Sequence, residues 1–258
     1  MSPEPRVLYI AWRSPETQAI YPLGRLIERL QGPRYEFAYI EGVRDAVAHG
    51  FLPFLSFPEL EQVYYSNDLL PVFQNRLMSS GRPDYREYVA QLGLDPDAAH
   101  SIDILARSAG LRATDKLEVF APPIVDDHGR YLYHFLLRGI RHVRFAEERV
   151  RDLGEGERLC WMRDPQNEFD PSAIALRTRD KVLLGYLPFY LAEDFARIVE
   201  KEHQLEVTAE RINRPPVPVQ RRVLCRLVTG GRPGFRPFAT GRYAPIAREA
   251  MALSNGGG

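Results

Sequence analysis

The sequence predicts an α+β N-terminal module followed by a mainly-β barrel that contains one helix. Three observations lead to this fold class. The chain has 258 residues, which fits about two domains of ordinary size. Residues 121–130 contain two prolines and an Asp-Asp-His-Gly turn, which interrupt the hydrophobic period on both sides. Before this stretch strand-like and helix-like patterns are mixed, whereas after it short strand-like runs dominate.

These observations divide the chain into four regions. Residues 1–120 are expected to form the α+β module, residues 121–130 a linker and residues 131–229 the β-barrel. Glycine, proline and arginine dominate the start of the remaining stretch, residues 230–258, which ends in three glycines. We therefore expect this stretch to be an extended or disordered tail.

The N-terminal region begins with runs of aromatic and β-branched residues, which predict a small antiparallel sheet with strands at 7–12, 21–26 and 35–40. An apolar loop with two prolines follows at residues 50–58. Helical spacing then predicts short helices at 69–77, 85–92 and 101–109. Ser101 is the residue type preferred at a helix N-cap, so we expect it to cap the last of these helices.

The region after the linker is predicted to be rich in short strands. Six runs with strand character lie at 131–137, 159–163, 174–177, 182–186, 205–212 and 222–228. Apolar residues at helical spacing predict one helix at 191–202. So many short strands in about 95 residues favour a small barrel or a strongly bent sheet, because closure removes exposed edges.

Charge and composition restrict the class of protein. Basic and acidic residues balance at 34 each, which argues against binding nucleic acid over the whole surface. The charges are nevertheless uneven: residues 1–120 carry 12 basic and 16 acidic groups, residues 134–229 carry 17 and 15, and residues 230–258 carry four and one. The basic groups are nearly all arginine, the cation best suited to phosphate.

Other features predict a cytoplasmic protein without a membrane segment, metal or cofactor. No apolar run approaches the roughly 18–20 residues that cross a bilayer. The first six residues lack the pattern of a signal peptide. Cys160 and Cys225 are the only cysteines, too few for a disulfide framework and without partners at zinc-ligand spacing.

The most unusual segment is the loop at residues 163–174, which contains two prolines and several Asp or Asn residues. Together with residues 139–142 and 184–192 it could frame one pocket at the ends of neighbouring strands. The pocket would combine aromatic faces, hydrogen-bond donors and one carboxylate: Phe169, Tyr186, Phe189, Tyr190, Arg141, His142, Asn167 and Asp170.

This mixture suits the end of a single-stranded nucleic acid. Bases stack on aromatic rings, and arginine binds phosphate through charge-assisted hydrogen bonds. The Asp170 carboxylate could accept a hydrogen bond from a sugar hydroxyl and repel a further phosphate, which would select a free end. The alternative is structural: Asp170 caps its own loop, Asn167 holds a turn, and the aromatic rings belong to the core.

Residues from about 134 to 228 resemble a HIRAN domain, a module found in some SNF2-type fork-remodelling helicases and as a separate unit in bacteria. The resemblance rests on three stretches, at 139–141, 159–174 and 184–188, which include the pattern R-x-P-x-N-x-F-D-x-x-A-I. It implies an OB-like β-barrel that binds the 3′ end of single-stranded DNA and has no catalytic activity.

The resemblance also implies individual roles. Arg141 matches an arginine that contacts the terminal nucleotide, and Asp170 matches an aspartate that reads the 3′ hydroxyl. Phe169 replaces a tyrosine that stacks on the terminal base, and Asn167 matches a loop asparagine. Three positions depart from the family: His142 replaces a stacking tyrosine, Tyr186 replaces a histidine near the phosphate, and Phe189 stands where some relatives have a phosphate-binding lysine.

Residues from about 7 to 119 are similar in motif order to the N-terminal subdomain of HipA-like toxin kinases. The similarity rests on Leu-Gly-Arg-Leu at 23–26 and on the F-x-N-x-L pattern at 73–77. It implies a small α+β module that docks a protein partner. Because a Gly-rich phosphate loop and a His-Arg-Asp catalytic loop are missing from the sequence, it does not imply kinase activity.

Four arginines flank the Pro-Pro-Val-Pro stretch at 215–218: Arg211, Arg214, Arg221 and Arg222. They predict either a solvated hairpin tip or a basic flap beside DNA, in which Arg221 and Arg222, with Arg163, support binding.

Two functions remain as hypotheses. The first is non-catalytic recognition of a single-stranded DNA 3′ end, with a protein partner at the N-terminal module. The second is a protein-interaction adaptor in a system of the toxin-antitoxin or phage-defence type, without DNA binding. The sequence leaves open the choice between DNA and RNA, the partner and the oligomeric state.

Overall fold

The chain is mostly β, with two antiparallel sheets and few helices. The computed structural model describes residues 5–112, 114–168, 170–199, 205–230 and 235–246. Within these ranges the chain forms two compact units: residues 1–79, 100–122 and 238–258 belong to the first unit, and residues 80–99 and 123–237 to the second. No helix in the described ranges has both the length and the hydropathy that a membrane span requires.

The first unit is built on a five-stranded sheet with the order β4-β3-β2-β1-β5. Its strands are β1 (Arg6–Arg13), β2 (Ile20–Glu28), β3 (Tyr35–Tyr39), β4 (Val63–Ser66) and β5 (Leu117–Phe120). Three α-helices accompany the sheet: α1 (Gly42–Ala48), α2 (Pro71–Gln74) and α4 (Ser101–Ser108). The predicted antiparallel sheet is thus confirmed, with two further strands.

Aromatic side chains fill the core of the first unit. The Phe37 ring is fully buried and lies 4.7 Å from the Phe57 ring and 6.0 Å from the Phe73 ring, measured between centroids. A Cβ atom at Gly24 would lie 2.8 Å from this Phe37 ring. The glycine in β2 therefore lets a large ring of β3 pack across the neighbouring strand.

The apolar loop predicted at residues 50–58 is held by one tyrosine. The Tyr39 hydroxyl accepts a hydrogen bond from the Phe54 backbone nitrogen at 3.0 Å and donates one to the Phe57 carbonyl at 2.9 Å. Leu52, just before these anchors, is 81% exposed, and Leu55, between them, is 100% exposed. The loop thus holds its backbone in place while presenting two leucines to solvent.

The second unit is built on seven strands with the order β10-β9-β8-β11-β12-β7-β6, and all ladders are antiparallel. The strands are β6 (Ile124–Val125), β7 (Tyr131–Leu136), β8 (Arg158–Arg163), β9 (Ile174–Arg177), β10 (Leu183–Tyr186), β11 (Leu205–Ile212) and β12 (Val223–Thr229). Three helices complete the unit: α3 (Tyr85–Gln91), α5 (Ala146–Asp152) and α6 (Phe189–Val199).

The ladders of the second unit do not form the predicted closed barrel. In the described residues β6 and β10 lie at the two ends of the strand order. The chain just after β7 meets the end of β10 through an isolated bridge, in which Arg138 and Tyr186 exchange two backbone hydrogen bonds of 3.0 and 2.8 Å. The ladder stops there because Gly139, with a φ of +75°, turns the chain into the 3-10 turn Ile140–His142.

Gly185 permits the Arg138–Tyr186 bridge. A Cβ atom at this position would lie 2.2 Å from the Arg138 carbonyl oxygen and 3.1 Å from Leu137 Cγ. The pairing of β10 with β9 also shifts register between Leu183 and Gly185. A glycine at such an irregularity allows another backbone to approach closely.

The sequence-based boundaries differ from the structure in the linker. Ile124 and Val125 pair with Leu132 and Tyr131, so the predicted linker contains one strand of a hairpin. The Asp126 carboxylate accepts hydrogen bonds from the backbone nitrogens of the turn it begins, at 2.9 and 2.8 Å. The Asp-Asp-His-Gly stretch is therefore a hairpin turn that belongs to the second unit.

Two helix predictions also need correction. The N-cap of α4 is His100 without a side-chain cap, and Ser101 is the first helical residue. Helix α3 was assigned to the N-terminal module but belongs to the second unit. There the Asn213 side chain donates to the Gln91 carbonyl at 2.9 Å, and the Arg211 guanidinium donates to the Ala90 carbonyl. Residues 200–202 of the helix predicted at 191–202 lie outside the described residues.

The predicted extended tail is wrong for residues 235–246. Phe238 and Tyr243 are buried, and the Phe238 ring lies 5.3 Å from the rings of both Tyr9 and Phe120. Pro245 forms a bridge with Ile40 of the first unit. The Phe238 and Tyr243 rings cover one face of the β1–β5 pair, so residues 238–246 contribute to the core of the first unit. Residues 231–234 and 247–258 lie outside the described residues.

We predict that Phe238→Ala lowers the free energy of unfolding by about 3–5 kcal/mol, because it leaves a cavity against two aromatic rings. Chemical denaturation of the full chain measures this difference. Ala239→Ser is the matched control, since the neighbouring Ala239 is exposed. If both variants unfold at the wild-type denaturant concentration, the segment does not contribute to the core.

We also predict that Gly185→Ala destabilises the chain by about 1–3 kcal/mol, because the added methyl group must displace the Arg138 backbone. Gly154→Ala is the control, since the nearest atom to its added Cβ would be a side-chain oxygen 3.9 Å away. We expect the control to change the stability by less than about 0.5 kcal/mol. Equal melting temperatures of the two variants would contradict the close approach at Gly185.

Candidate functional site

Tyr186, at the end of β10, joins the three segments that the sequence predicts to form one pocket. Its backbone pairs with Arg138, and its ring lies over Gly139, where an added Cβ would be 3.2 Å from Tyr186 Cδ2. Its hydroxyl donates a hydrogen bond to Asp164 Oδ2 at 3.0 Å. The end of β10 is thus connected both to the turn at 139–142 and to the loop that follows β8.

The environment of Tyr186 keeps its hydroxyl protonated. Partial burial, and after it the hydrogen bond to the Asp164 carboxylate, raise the pKa of Tyr186 above its usual value, and Asn167 lowers it by a smaller hydrogen-bond contribution. A protonated hydroxyl can donate to Asp164 at neutral pH. This position therefore orients the loop rather than offering a positive charge to a phosphate.

The loop at 164–173 is held by hydrogen bonds within its described residues, 164–168 and 170–173. Asp164 donates its backbone N–H to the Ala173 carbonyl at 2.9 Å, which closes the base of the loop. The Asn167 side-chain oxygen accepts from the Asp170 backbone nitrogen at 3.1 Å, and Asp170 Oδ1 accepts from the Ser172 backbone nitrogen at 2.8 Å. The loop-holding roles considered for Asn167 and Asp170 are therefore both present.

Asp170 nevertheless keeps an acceptor available. The residue is partly exposed, and its local hydrogen bond uses Oδ1. Within the described part of the loop, no hydrogen bond to its Oδ2 is formed. An ionised carboxylate has about four acceptor positions, so capping the loop and accepting a bond from a ligand are compatible.

Arg141 and His142 lie on the exposed 3-10 turn beyond Gly139. Arg141 Nε donates to His142 Nε2 at 3.1 Å, a bond that requires the neutral form of the imidazole with its proton on Nδ1. The Arg141 side chain is exposed on this turn, and its hydrogen bond to His142 uses Nε. The arginine is thus placed to bind an anion.

The other predicted site residues are less directly connected. Phe189 begins α6 and packs edge-to-face against Tyr190, with 5.5 Å between ring centroids. Arg163 is exposed at the end of β8. Phe169 lies outside the described residues, so its predicted stacking role stays a prediction.

Arg221 and Arg222 are held by contacts within the second unit. Arg221 Nη1 donates to Gln91 Oε1 at 3.2 Å, and its guanidinium lies 5.0 Å from the Tyr88 ring centroid. Arg222 Nε donates to the Val217 carbonyl at 2.7 Å. These contacts attach the β11–β12 hairpin tip to α3. The 3-10 turn that contains Arg221 neighbours the turn that contains Arg141.

Two residues of the site were missed by the sequence analysis. Asp164 was treated only as part of the loop, although its carboxylate is the acceptor for Tyr186. Phe145, four residues after Arg141, is 58% exposed. The sequence offered one signal for Phe145, its position at the end of the basic run R-H-V-R-F. Strand periodicity could not indicate that the Phe145 ring is exposed.

The comparison with family models agrees with the sequence resemblance over residues 131–229. The HIRAN domain family model matches residues 131–229. A structure described as a protein from Lactobacillus plantarum is 18% identical, with a TM-score of 0.32, and the similarity covers 39% of this chain and 97% of that one. The HIRAN domain of human HLTF is 19% identical, with a TM-score of 0.30, and the similarity covers 49% and 85%.

The similarity to these two solved structures is low. No curated protein matches the chain. The family match does not include residues 7–119, and their resemblance to HipA-like toxin kinases stays an unsupported prediction. The family match supports a HIRAN domain at residues 131–229.

Proposed function

We propose that the HIRAN domain binds single-stranded DNA at a free 3′ end and catalyses no reaction. The observation that supports this best is the Tyr186 connection, which links the Arg141 turn to the loop that carries Asp170. A cation and a carboxylate on two linked segments match the two groups at a strand end, a phosphate and a terminal hydroxyl. Such a site needs no catalytic group.

In this proposal Arg141 binds a phosphate of the terminal nucleotide. Its side chain is exposed on a short turn, and a guanidinium forms strong charge-assisted hydrogen bonds with phosphate oxygens. Tyr186 cannot replace it, because its hydroxyl donates to Asp164. His142 and Arg163 add exposed basic or polar groups, so the phosphate contact depends mainly on Arg141.

Asp170 is proposed to accept a hydrogen bond from the 3′ hydroxyl. Its Oδ1 atom accepts from Ser172 within the loop, and Oδ2 accepts no hydrogen bond from the described residues of the loop. A phosphate on the 3′ end, or a continuing strand, would place a second anion beside this carboxylate, which is unfavourable at short distance. Phe169 and Phe189 are proposed to stack on bases, with Asn167 holding the loop in place.

A second candidate function is a protein-interaction adaptor, in which the first unit docks a partner. The observation that favours it is the pair of exposed leucines, Leu52 and Leu55, on the loop anchored by Tyr39. Exposed apolar groups on an ordered loop are typical of protein contacts. Salt-dependent binding of the chain to an oligonucleotide supports the DNA proposal, and its absence favours the adaptor.

The first test of the DNA proposal uses Asp170→Asn. Asparagine keeps an oxygen that can accept from the Ser172 backbone, but it removes the charge. We expect wild-type protein to prefer a 3′ hydroxyl over a 3′ phosphate, and Asp170→Asn to lose this preference. Fluorescence-anisotropy titrations with strands that differ only at the 3′ end measure the effect.

Asp170→Ala additionally removes the acceptor, and a hydrogen bond to a charged group contributes about 1.5–3 kcal/mol. We therefore expect about 10- to 150-fold weaker binding to the free 3′ end. Equal affinity of the wild-type protein for hydroxylated and phosphorylated ends would disprove end recognition, even if it binds both strands.

The second test concerns Arg141. We expect Arg141→Ala to weaken binding to both kinds of end. The slope of the logarithm of the binding constant against the logarithm of the salt concentration should also become shallower by about one, because one phosphate contact is lost. Arg112→Ala, an exposed arginine of the first unit, is the control with the same change of charge. A similar loss in both variants would mean that Arg141 acts only through the net charge.

A further inference from the structure

Phe145 combines features that its role in the fold does not explain. Its side chain is 58% exposed, and its backbone has φ 65° and ψ 0°, in the left-handed region. It lies in the same loop as Arg141 and His142, directly before α5. A large exposed aromatic residue in this conformation is uncommon.

The backbone of Phe145 has a structural task that favours a different residue. Its carbonyl accepts the Arg149 N–H at 3.0 Å, the first helical hydrogen bond of α5. The left-handed conformation at this entry point is adopted most easily by glycine and disfavours a bulky side chain. The chain therefore has a phenylalanine where helix entry alone would favour glycine.

The ring itself lies beside positive charge. The Arg144 guanidinium lies 4.6 Å from the centroid of the Phe145 ring, close enough for a cation–π interaction. Residues 138–145 include Arg138, Arg141, His142 and Arg144 and no acidic residue. A polyanion with planar groups fits these surroundings, because its phosphates can face the arginines while a flat base covers the exposed ring.

We propose that Phe145 is a base-stacking platform for a nucleotide of the bound strand next to its terminal nucleotide, with Arg144 beside the ring holding the adjoining phosphate. This inference rests on the proposed binding of single-stranded DNA. It extends the site from the loop at 164–173 across the turn at 139–142 to the start of α5. Any base provides a flat face, so this contact adds affinity without sequence preference.

Three substitutions at this position separate binding from structure. Phe145→Ala removes the ring and keeps a side chain in the left-handed region, Phe145→Gly removes both the ring and the strain, and Phe145→Trp keeps an aromatic face. Stacking on an aromatic side chain typically changes affinity about 5- to 150-fold. We expect this loss in Phe145→Ala and Phe145→Gly and near-wild-type affinity in Phe145→Trp, by anisotropy with a free-3′-end strand.

Stability should change in the opposite direction to affinity. We expect Phe145→Gly to melt at a higher temperature than wild type although it binds more weakly, because glycine relieves the strain. Phe145→Ala should gain no such stability. A lower melting temperature of Phe145→Gly would show that the ring supports the fold, and it would overturn the proposal.

Strands with a single abasic position identify the base that stacks. With abasic sites placed in turn at the last four nucleotides, we expect one position to weaken wild-type binding, and Phe145→Ala to be insensitive at that same position. If wild-type protein binds the strand and Phe145→Ala binds equally well, the inference fails while the proposed function stands. If wild-type protein binds no strand, the proposed function itself fails, and this inference fails with it.

Discussion

Two backbone hydrogen bonds between Arg138 and Tyr186 determine how the candidate site is assembled. They join residues separated by almost fifty positions in the sequence, one after β7 and the other at the end of β10. The turn that carries Arg141 starts one residue after this bridge, and the Tyr186 hydroxyl holds the loop after β8. The bridge thus adds a direct connection between the two ends of the strand order β10-β9-β8-β11-β12-β7.

Much of the strand pattern was predictable, because it depends on local alternation and on residue type. The sequence placed β9 at 174–177, where the structure has it, and most other long strands within one or two residues. Strands β4, β5 and β6 were not predicted, because they have only four, four and two residues. Helix α1 was missed because its seven residues include a glycine and two valines, which have low helix propensity.

The three segments of the candidate site were predictable from the sequence, but the hydrogen bonds that connect them were not. Spacing and resemblance indicated the loop, the turn and the end of β10 as one group, yet they did not indicate which residue joins them. Tyr186 was expected near a phosphate, whereas its hydroxyl donates to Asp164. Asp170 and Asn167 both form hydrogen bonds that hold the loop, and a carboxylate has acceptor positions for more than one donor.

Residues 238–246 pack on the first unit although they follow the second unit in the sequence. This order affects when the first unit can finish folding. During synthesis from the N-terminus, β1 and β5 leave the ribosome long before Phe238 and Tyr243, which complete their covering. The rings of Tyr9 and Phe120 therefore lack these partners until the whole HIRAN domain has been translated. A nascent chain with an uncovered aromatic face is open to chaperones and to aggregation, so the synthesis of residues 238–246 decides when the first unit can be completed.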